Sequence, residues 1–251
     1  MRDSWNGMRR ANGMRIAVTG GTSGLGLALV REFVGRGARV AFVARERSRV
    51  EHVAIETGAD GIVADVARKE DIHPLAMQIT GRLGGLDVLI NNASSLGPEP
   101  LRLLADTDCE DFEHALATNV LGPFRLTKAL LGALSASARE GRGALVLNVS
   151  SDAARNPYPT WGAYGASKAA FEHMTRIWDE ELAAQGVHFI AVDPGDMDTP
   201  LHALALPNAD PATLKRPADA AREIAELILS SEATRRPRVG AAAAIESESS
   251  V

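Results

Sequence analysis

Val18-Thr19-Gly20-Gly21-Thr22-Ser23-Gly24-Leu25-Gly26 is the stretch that decides how this chain of 251 residues folds. An apolar run (residues 15–18) leads into it, and a segment of helical period (residues 25–34) leads out. A strand, a glycine-rich turn and a helix start together make a cradle for an anion. Glycine lets the backbone approach closely, and the unpaired N–H groups of a helix N-terminus bind negative charge. Gly20, Gly24 and Gly26 fit the pattern TGxxxGxG, a spacing variant of the GxGxxG fingerprint that holds a dinucleotide pyrophosphate. Thr22, Ser23 and Leu25 lie among those glycines and share the cradle. A glycine cluster alone would equally suit a plain tight turn. The flanking strand and helix carry the reading.

The same rhythm runs on along the chain. Runs rich in Val and Ile at 38–44, 61–64, 86–90, 144–149 and 187–192 read as strands buried on both faces. Segments 48–57, 69–83, 109–134 and 164–184 read as helices. Gly35 or Gly37 stops the first helix, and Gly186 the last of these. Alternating strands and helices predict an α/β fold, a Rossmann-like doubly wound parallel sheet of three layers in a single domain. That domain covers 14–240. Residues 1–13 read as an N-terminal extension, and 241–251 as a mobile tail. Residues 196–216, with Pro200, Pro207 and Pro211, read as an irregular excursion before a helix that Pro217 opens.

Composition excludes several classes. A formal charge of −5 argues against nucleic acid as a partner; Arg9, Arg10 and Arg15 read as a solvated end. Cys109 is the single cysteine, so no intrachain disulfide forms, which fits a reducing compartment. There is no signal-peptide pattern and no apolar run of about 18 residues, so no membrane partner is expected and the cytoplasm is the default location. The six histidines show no metal-ligand spacing, and Gly-x-Ser-x-Gly is absent, which argues against a serine hydrolase.

The second half carries a candidate acid/base. Tyr164 and Lys168 stand four residues apart and share one face of a helix. A phenol's ordinary pKa of about 10 is too high for proton exchange near neutral pH; a nearby ammonium favours the phenolate and lowers it. Ser151 follows the strand at 144–149, at the strand end where sites gather in such sheets. Its hydroxyl can hold a substrate oxygen, and Ser150 competes for that role.

Taken in order, these stretches resemble the short-chain dehydrogenase/reductase family from about Met14 to about Leu229. Asp65-Val66 is similar to the family's adenine-contacting pair, and Asn91-Asn92-Ala93 to its NNAG motif, with Ser94 where glycine is common. Asn119 stands in TNVLG, and Tyr164-Gly165-Ala166-Ser167-Lys168 fits YxxxK. Pro194-Gly195 follows the sixth strand, with Thr199 beyond it. The resemblance implies hydride transfer between a nicotinamide cofactor and a small carbonyl compound or secondary alcohol. Tyr164 would be the acid/base, Ser151 rather than Ser150 the substrate-oxygen partner, and Lys168 a contact of the nicotinamide ribose. Asn119 would act indirectly, holding a helix backbone and a water that relays protons to Lys168. Cofactor contacts are implied for Asn92, Ala93, Pro194, Gly195, Met197 and Thr199 besides the cradle, although Thr199 equally suits a helix cap.

Cofactor choice turns on Val43-Ala44-Arg45. In the resemblance, NAD-preferring relatives carry Asp where Ala44 stands, and the planar fork of Arg45 suits a 2′-phosphate. That implies NADP(H) ahead of NAD(H). The plainer alternative is that Arg45 only opens a charged helix, with Glu46 beside it to neutralise it. Ala153, Arg155, Tyr158, Trp161, Met197 and Leu201 are the expected substrate pocket, though Tyr158 and Trp161 would serve equally as packing. The family's last strand has one candidate, 236–241. The helices at 109–134 and 164–184 carry surplus apolar residues, Ala115, Phe124, Leu126, Leu130, Phe171 and Ile177 among them. Relatives pair these helices across a symmetry axis, so a homodimer or homotetramer is expected. Two other readings stay open: a non-catalytic NADP(H)-binding regulator on the same fold, and an epimerase-type enzyme, whose relatives carry a longer C-terminal domain.

Overall fold

The computed structural model describes residues 11–230. Its strands are β1 (Arg15–Thr19), β2 (Arg39–Ala44), β3 (Asp60–Val63), β4 (Val88–Asn91), β5 (Ala144–Val149) and β6 (Val187–Val192). They form one sheet in the order β3-β2-β1-β4-β5-β6, every neighbouring pair parallel. The order reverses between β1 and β4, and in open α/β sheets ligands bind outside the carboxyl ends of the strands at that reversal.

Side chains alternate across each strand, and this sorts the core into two layers. Ile16, Val18 and Phe42 point to one face, where they pack with Leu29 and Phe33 of α1 (Gly24–Gly35) and Ile224 and Ile228 of α8 (Pro217–Leu229). Ala17, Ala41 and Val43 point to the other. There they meet Leu75 and Ile79 of α3 (Lys69–Leu83) and Leu126 and Leu130 of α5 (Gly122–Arg139). Helices on both faces explain why the strand runs read as apolar throughout. The remaining helices are α2 (Arg47–Thr57), α4 (Cys109–Leu116), α6 (Gly162–Leu182) and α7 (Pro200–Ala205).

The first helix ends at Gly35 and is capped by Arg36, with Gly37 behind it in the left-handed conformation at φ 87°, as expected of a glycine stop. Elsewhere the chain departs from expectation for physical reasons. The segment 109–134 is not one regular helix: a π-helical turn, Ala117–Leu121, separates α4 from α5, and Asn119 stands at its centre. At Gly122 the helix passes so close to the Val66 carbonyl that a Cβ would lie 2.6 Å from its oxygen. The segment 196–216 holds α7 and a short 3-10 turn, Pro211–Thr213.

Arg15 is not part of a solvated end. Its guanidinium lies 2.6 Å from the buried Asp87 carboxylate, which also accepts from Arg142 at 3.0 Å and from the Ser137 hydroxyl at 2.6 Å. Burial opposes the charge on Asp87, but these bonds outweigh it and hold the carboxyl below the usual range. Ala11, within the expected extension, is buried and donates its N–H to the Arg36 carbonyl at 3.0 Å. Of the surplus helix residues, Ala115, Leu126, Leu130 and Phe171 are buried in the chain's own core, whereas Phe124 and Ile177 are exposed. Arg9, Arg10, the strand candidate at 236–241 and the tail at 241–251 lie outside the described residues. Among the described residues, no helix is long and apolar enough to cross a membrane, and no group of His, Cys, Asp and Glu is arranged to hold a metal ion.

Candidate active site

The glycine-rich turn closes onto the end of β4. The N–H of Gly20 donates to the Val43 carbonyl at 2.8 Å, fixing the loop against β2. Gly20 has φ 72°, and a Cβ there would sit 2.9 Å from Asn92 Nδ2. A Cβ at Gly26 would overlap the Gly20 carbonyl oxygen, and one at Gly21 would sit 2.6 Å from Phe42 Cβ. The cradle therefore exists only with glycine at these positions. Ser23 stands at the N-cap of α1 without a side-chain cap bond, so no side chain covers the N–H groups of the first turn there. A pyrophosphate fits such a surface. Thr199 approaches from the other side, its Cγ2 3.1 Å from where a Gly24 Cβ would be, and its Oγ1 accepts from the His202 N–H as the cap of α7.

At the β4 end, Thr19 Oγ1 accepts the N–H groups of Asn92 and Ala93 at 3.0 Å each. The Asn92 amide donates back to the Thr19 carbonyl at 2.9 Å. Its side chain is thus a strut between β4 and the turn. Asp65 donates its N–H to Asp71 and accepts from the Ala67 N–H. Val66 packs in the core, and its carbonyl lies against Gly122. Beyond β2, Arg45 is exposed and makes no ion pair among the described residues, while Glu46 pairs with Arg49 at 2.7 Å and accepts from Ser48 at 3.0 Å. Glu46 does not neutralise Arg45.

The acid/base candidates meet beyond the end of β5. Tyr164 and Lys168 are buried on one face of α6, with Lys168 Nζ 5.5 Å from the Tyr164 ring centroid. The ammonium donates to the Val149 carbonyl at 2.8 Å. Burial lowers the Lys168 pKa to about 8, opposed by the charge on Asp193. Burial raises Tyr164 to about 12; the Ser151 and Ser94 hydroxyls oppose that rise, and the charges on Asp193 and Asp152 reinforce it. The two serines at 150 and 151 separate here: Ser150 donates to Glu172 at 2.9 Å, whereas Ser151 faces Tyr164 and donates to Asp152 at 3.1 Å. Asn119 donates to the Ser95 carbonyl and to the Ser167 hydroxyl, both at 2.8 Å. Pro194 is buried, and Gly195 turns at φ 76° with its N–H on Asp193 at 3.0 Å.

The expected pocket residues divide. Ala153, Trp161 and Leu201 pack with Tyr164, Leu96 and Leu101 into one small apolar cluster. Tyr158 is exposed and donates to Asp152 at 2.6 Å; Arg155 is exposed, 3.7 Å from the Asp193 carboxylate. Met197 does not join them. It bridges to Lys215 and packs against the core layer of α1 and α8. Sequence reasoning passed over Asp152, Asp193, Thr19 and Ser167, which adjoin the motifs it used. Ser94, the hydroxyl in place of glycine, carried a signal in the sequence itself.

Comparison with known proteins follows the same lines. The family described as short chain dehydrogenase matches residues 14–209. The L-fucose dehydrogenase of Mus musculus is 32% identical over 238 residues, covering 90% of this chain and 85% of that protein. The 2-(R)-hydroxypropyl-CoM dehydrogenase of Xanthobacter autotrophicus is 33% identical over 190 residues, 73% of this chain and 74% of that protein. Among solved structures, the 3-ketoacyl-(acyl-carrier-protein) reductase of Brucella melitensis, complexed with NADH, superposes with a TM-score of 0.82 at 28% identity, covering 90% of this chain and 94% of that one. A short chain dehydrogenase of Escherichia coli, complexed with NADPH, gives 0.80 at 29% identity with the same coverage.

Proposed function

The chain belongs to the short-chain dehydrogenase family, and from that premise we propose that it transfers a hydride between NADP(H) and a small carbonyl compound or secondary alcohol. The observation that carries the proposal is the meeting of Ser151, Tyr164 and Lys168 beyond the end of β5, in the same parallel sheet whose β1 ends in the glycine turn. A bound nicotinamide supplies the hydride donor or acceptor. The protein's residues do the rest. The cradle and the first turn of α1 hold the pyrophosphate, and Lys168 is suited to the ribose hydroxyls. Ser151 orients the substrate oxygen, and Tyr164 gives or takes the proton there. With its pKa raised, Tyr164 is protonated near neutral pH and so able to deliver a proton to an alkoxide. Leu96, Leu101, Trp161 and Leu201 give the substrate an apolar wall.

NADP(H) is favoured over NAD(H) because the Arg45 guanidinium is uncommitted while Glu46 is engaged with Arg49. The relatives bound to NADH and to NADPH leave that choice to this chain's own residues. The test is a panel of aldehydes, ketones and alcohols with each of the four nicotinamide forms, followed by Tyr164→Phe on whichever substrate turns over. General acid/base catalysis contributes about 10²–10⁴-fold, so turnover falls by at least that range while NADPH binding, read by its fluorescence, barely changes. Near-normal turnover by Tyr164→Phe overturns the mechanism. Cofactor binding without turnover on any substrate favours a regulator.

A further inference from the structure

We propose that Asp152 is a positioning residue that sets Ser151 to accept a hydrogen bond, and so biases this site towards an alcohol over a carbonyl compound. The inference rests on the reading of Ser151 as the partner of the substrate oxygen. Geometry alone places Ser151 beside the acid/base pair. On one side of it, the Val149 carbonyl takes the Lys168 ammonium at 2.8 Å. On the other, the turn Asp152–Ala154 packs closely on α6. A Cβ at Gly165, next to Tyr164, would lie 2.9 Å from the Ala153 carbonyl oxygen.

The bonds around Ser151 fix which way its proton points. A carboxylate only accepts, so Ser151 is the donor in its 3.1 Å bond to Asp152 Oδ1. The Ser151 oxygen accepts the Ala153 N–H at 3.2 Å. Its one proton and one of its two lone pairs are thus taken, and a single lone pair remains for a ligand. Asp152 is itself held in place, because its other oxygen accepts the Tyr158 hydroxyl at 2.6 Å. Tyr158 accepts in turn from Asn156 Nδ2 at 3.3 Å, and its ring meets that of Trp161 edge-on, with centroids 6.5 Å apart. The Asp152 carbonyl takes the N–H groups of Arg155 and Asn156 at 2.9 Å each, which anchors the backbone beneath. The Arg155 guanidinium pairs with Asp193 at 3.7 Å, so the Asp152 carboxylate is met by neutral hydroxyls. The Tyr164 phenol can donate to either kind of substrate oxygen. The difference arises at Ser151. An alcohol can give its O–H to the open lone pair, whereas a carbonyl needs the proton that Asp152 holds.

Cyclohexanol and N-formylpiperidine are ring probes that carry the two kinds of oxygen, and neither reacts with NADPH. Each is titrated into the full chain saturated with NADPH, and binding is read by the fluorescence of the bound cofactor. Asp152→Ala frees the Ser151 proton. In the isosteric Asp152→Asn, the Tyr158 hydroxyl claims the amide oxygen and turns Nδ2 to Ser151, which frees that proton as well. Both variants are expected to tighten N-formylpiperidine by about three- to tenfold, the worth of one hydrogen bond. Cyclohexanol binds them no tighter than it binds the parent. Equal shifts for both probes would make Asp152 merely a structural brace and overturn the proposal, and so would unchanged affinities. If Asp152→Ala does not fold, Asp152→Asn decides alone. Ser151→Ala separates the proposal from the reading beneath it, and is expected to weaken cyclohexanol and spare N-formylpiperidine. If it spares both, Ser151 does not hold the ligand oxygen and both readings fall. If it weakens cyclohexanol while the Asp152 variants shift nothing, the proposal alone falls. A parent that binds neither probe overturns both.

Discussion

Replacing Lys168 by Met keeps the length and flexibility of the side chain and removes its ammonium. Lys168 is 2% exposed, and its charge has no carboxylate within ion-pair distance among the described residues. Burial lowers its pKa from 10.5 to about 8, a displacement worth about 3 kcal/mol against the charged form below pH 8. The substitution removes that cost. It also loses the bond to the Val149 carbonyl, and leaving such a group unpaired costs about 1–3 kcal/mol. The remainder favours the variant by about 0–2 kcal/mol in cofactor-free protein, a rise in Tm of up to roughly 8 °C for a domain of this size. The sign of the pH dependence follows from the same shift. Between the folded and unfolded pKa the unfolded chain holds the extra proton, so parent stability rises with pH across that window. The lead of Lys168→Met is therefore full below pH 8 and fades as pH approaches 10.5. Thermal unfolding by circular dichroism at neutral and alkaline pH reads both effects, and added NADP⁺ should stabilise the parent more than the variant. A lower Tm for the variant at neutral pH, or a lead that widens with pH, refutes the reasoning.

Arg45→Asp removes a guanidinium and adds a like charge to a 2′-phosphate. It should weaken NADPH at least tenfold, by about 1.4 kcal/mol or more, and leave NADH nearly unchanged; equal losses in titrations with both cofactors would make Arg45 merely structural. Asp87→Ala removes the carboxylate shared by Arg15, Arg142 and the buried Ser137 hydroxyl, while Arg15 and Arg142 keep the Gly84 and Gly13 carbonyls; it should cost about 1–3 kcal/mol, read by urea unfolding. Because the folded pKa of Asp87 is depressed, its contribution is present above the unfolded value of 3.8 and is lost as pH falls through the folded one. The parent and variant curves should therefore converge in acid. Exposed Leu121 in the π-helical turn, Phe124 on α5 and Ile177 on α6 fit a symmetric interface; light scattering should give a dimer or tetramer, and a monomer at micromolar concentration would remove the idea.

The strands were legible because a sheet covered on both faces needs apolar residues at every position, and runs such as Leu145, Val146 and Leu147 are fully apolar. Glycine stops were legible because Gly37 and Gly186 take left-handed conformations that other residues resist. The π-helical turn at Asn119 was not. Its cause is tertiary, since Asn119 is tied to a loop after β4 and Gly122 is pressed on Val66, and neither contact leaves a periodicity in the sequence. Arg15 misled for the same reason. A charge near the chain start looks solvated until Asp87, 72 positions away, is brought beneath it.

At the site, motif spacing brought out the proposed acid/base groups but not those that set their charge. Tyr164 and Lys168 share a helix face, so four residues of separation suffice to pair them. The groups that tune them come from three separate loops, with Ser94 after β4, Asp152 after β5 and Asp193 after β6. No spacing rule joins those three positions, because each is set by where a strand ends in a parallel sheet. Met197 shows the converse. Its place after Pro194-Gly195 pointed to the pocket, but the chain pairs with Lys215 and turns the side chain towards α1 and α8. Local order therefore finds a residue's element, while its partners depend on how the sheet brings the strand ends together. Asp152 and Asp193 oppose ionisation of Tyr164, and the Ser94 and Ser151 hydroxyls favour it. The proton affinity of the tyrosine is thus a balance among side chains that only the fold makes neighbours.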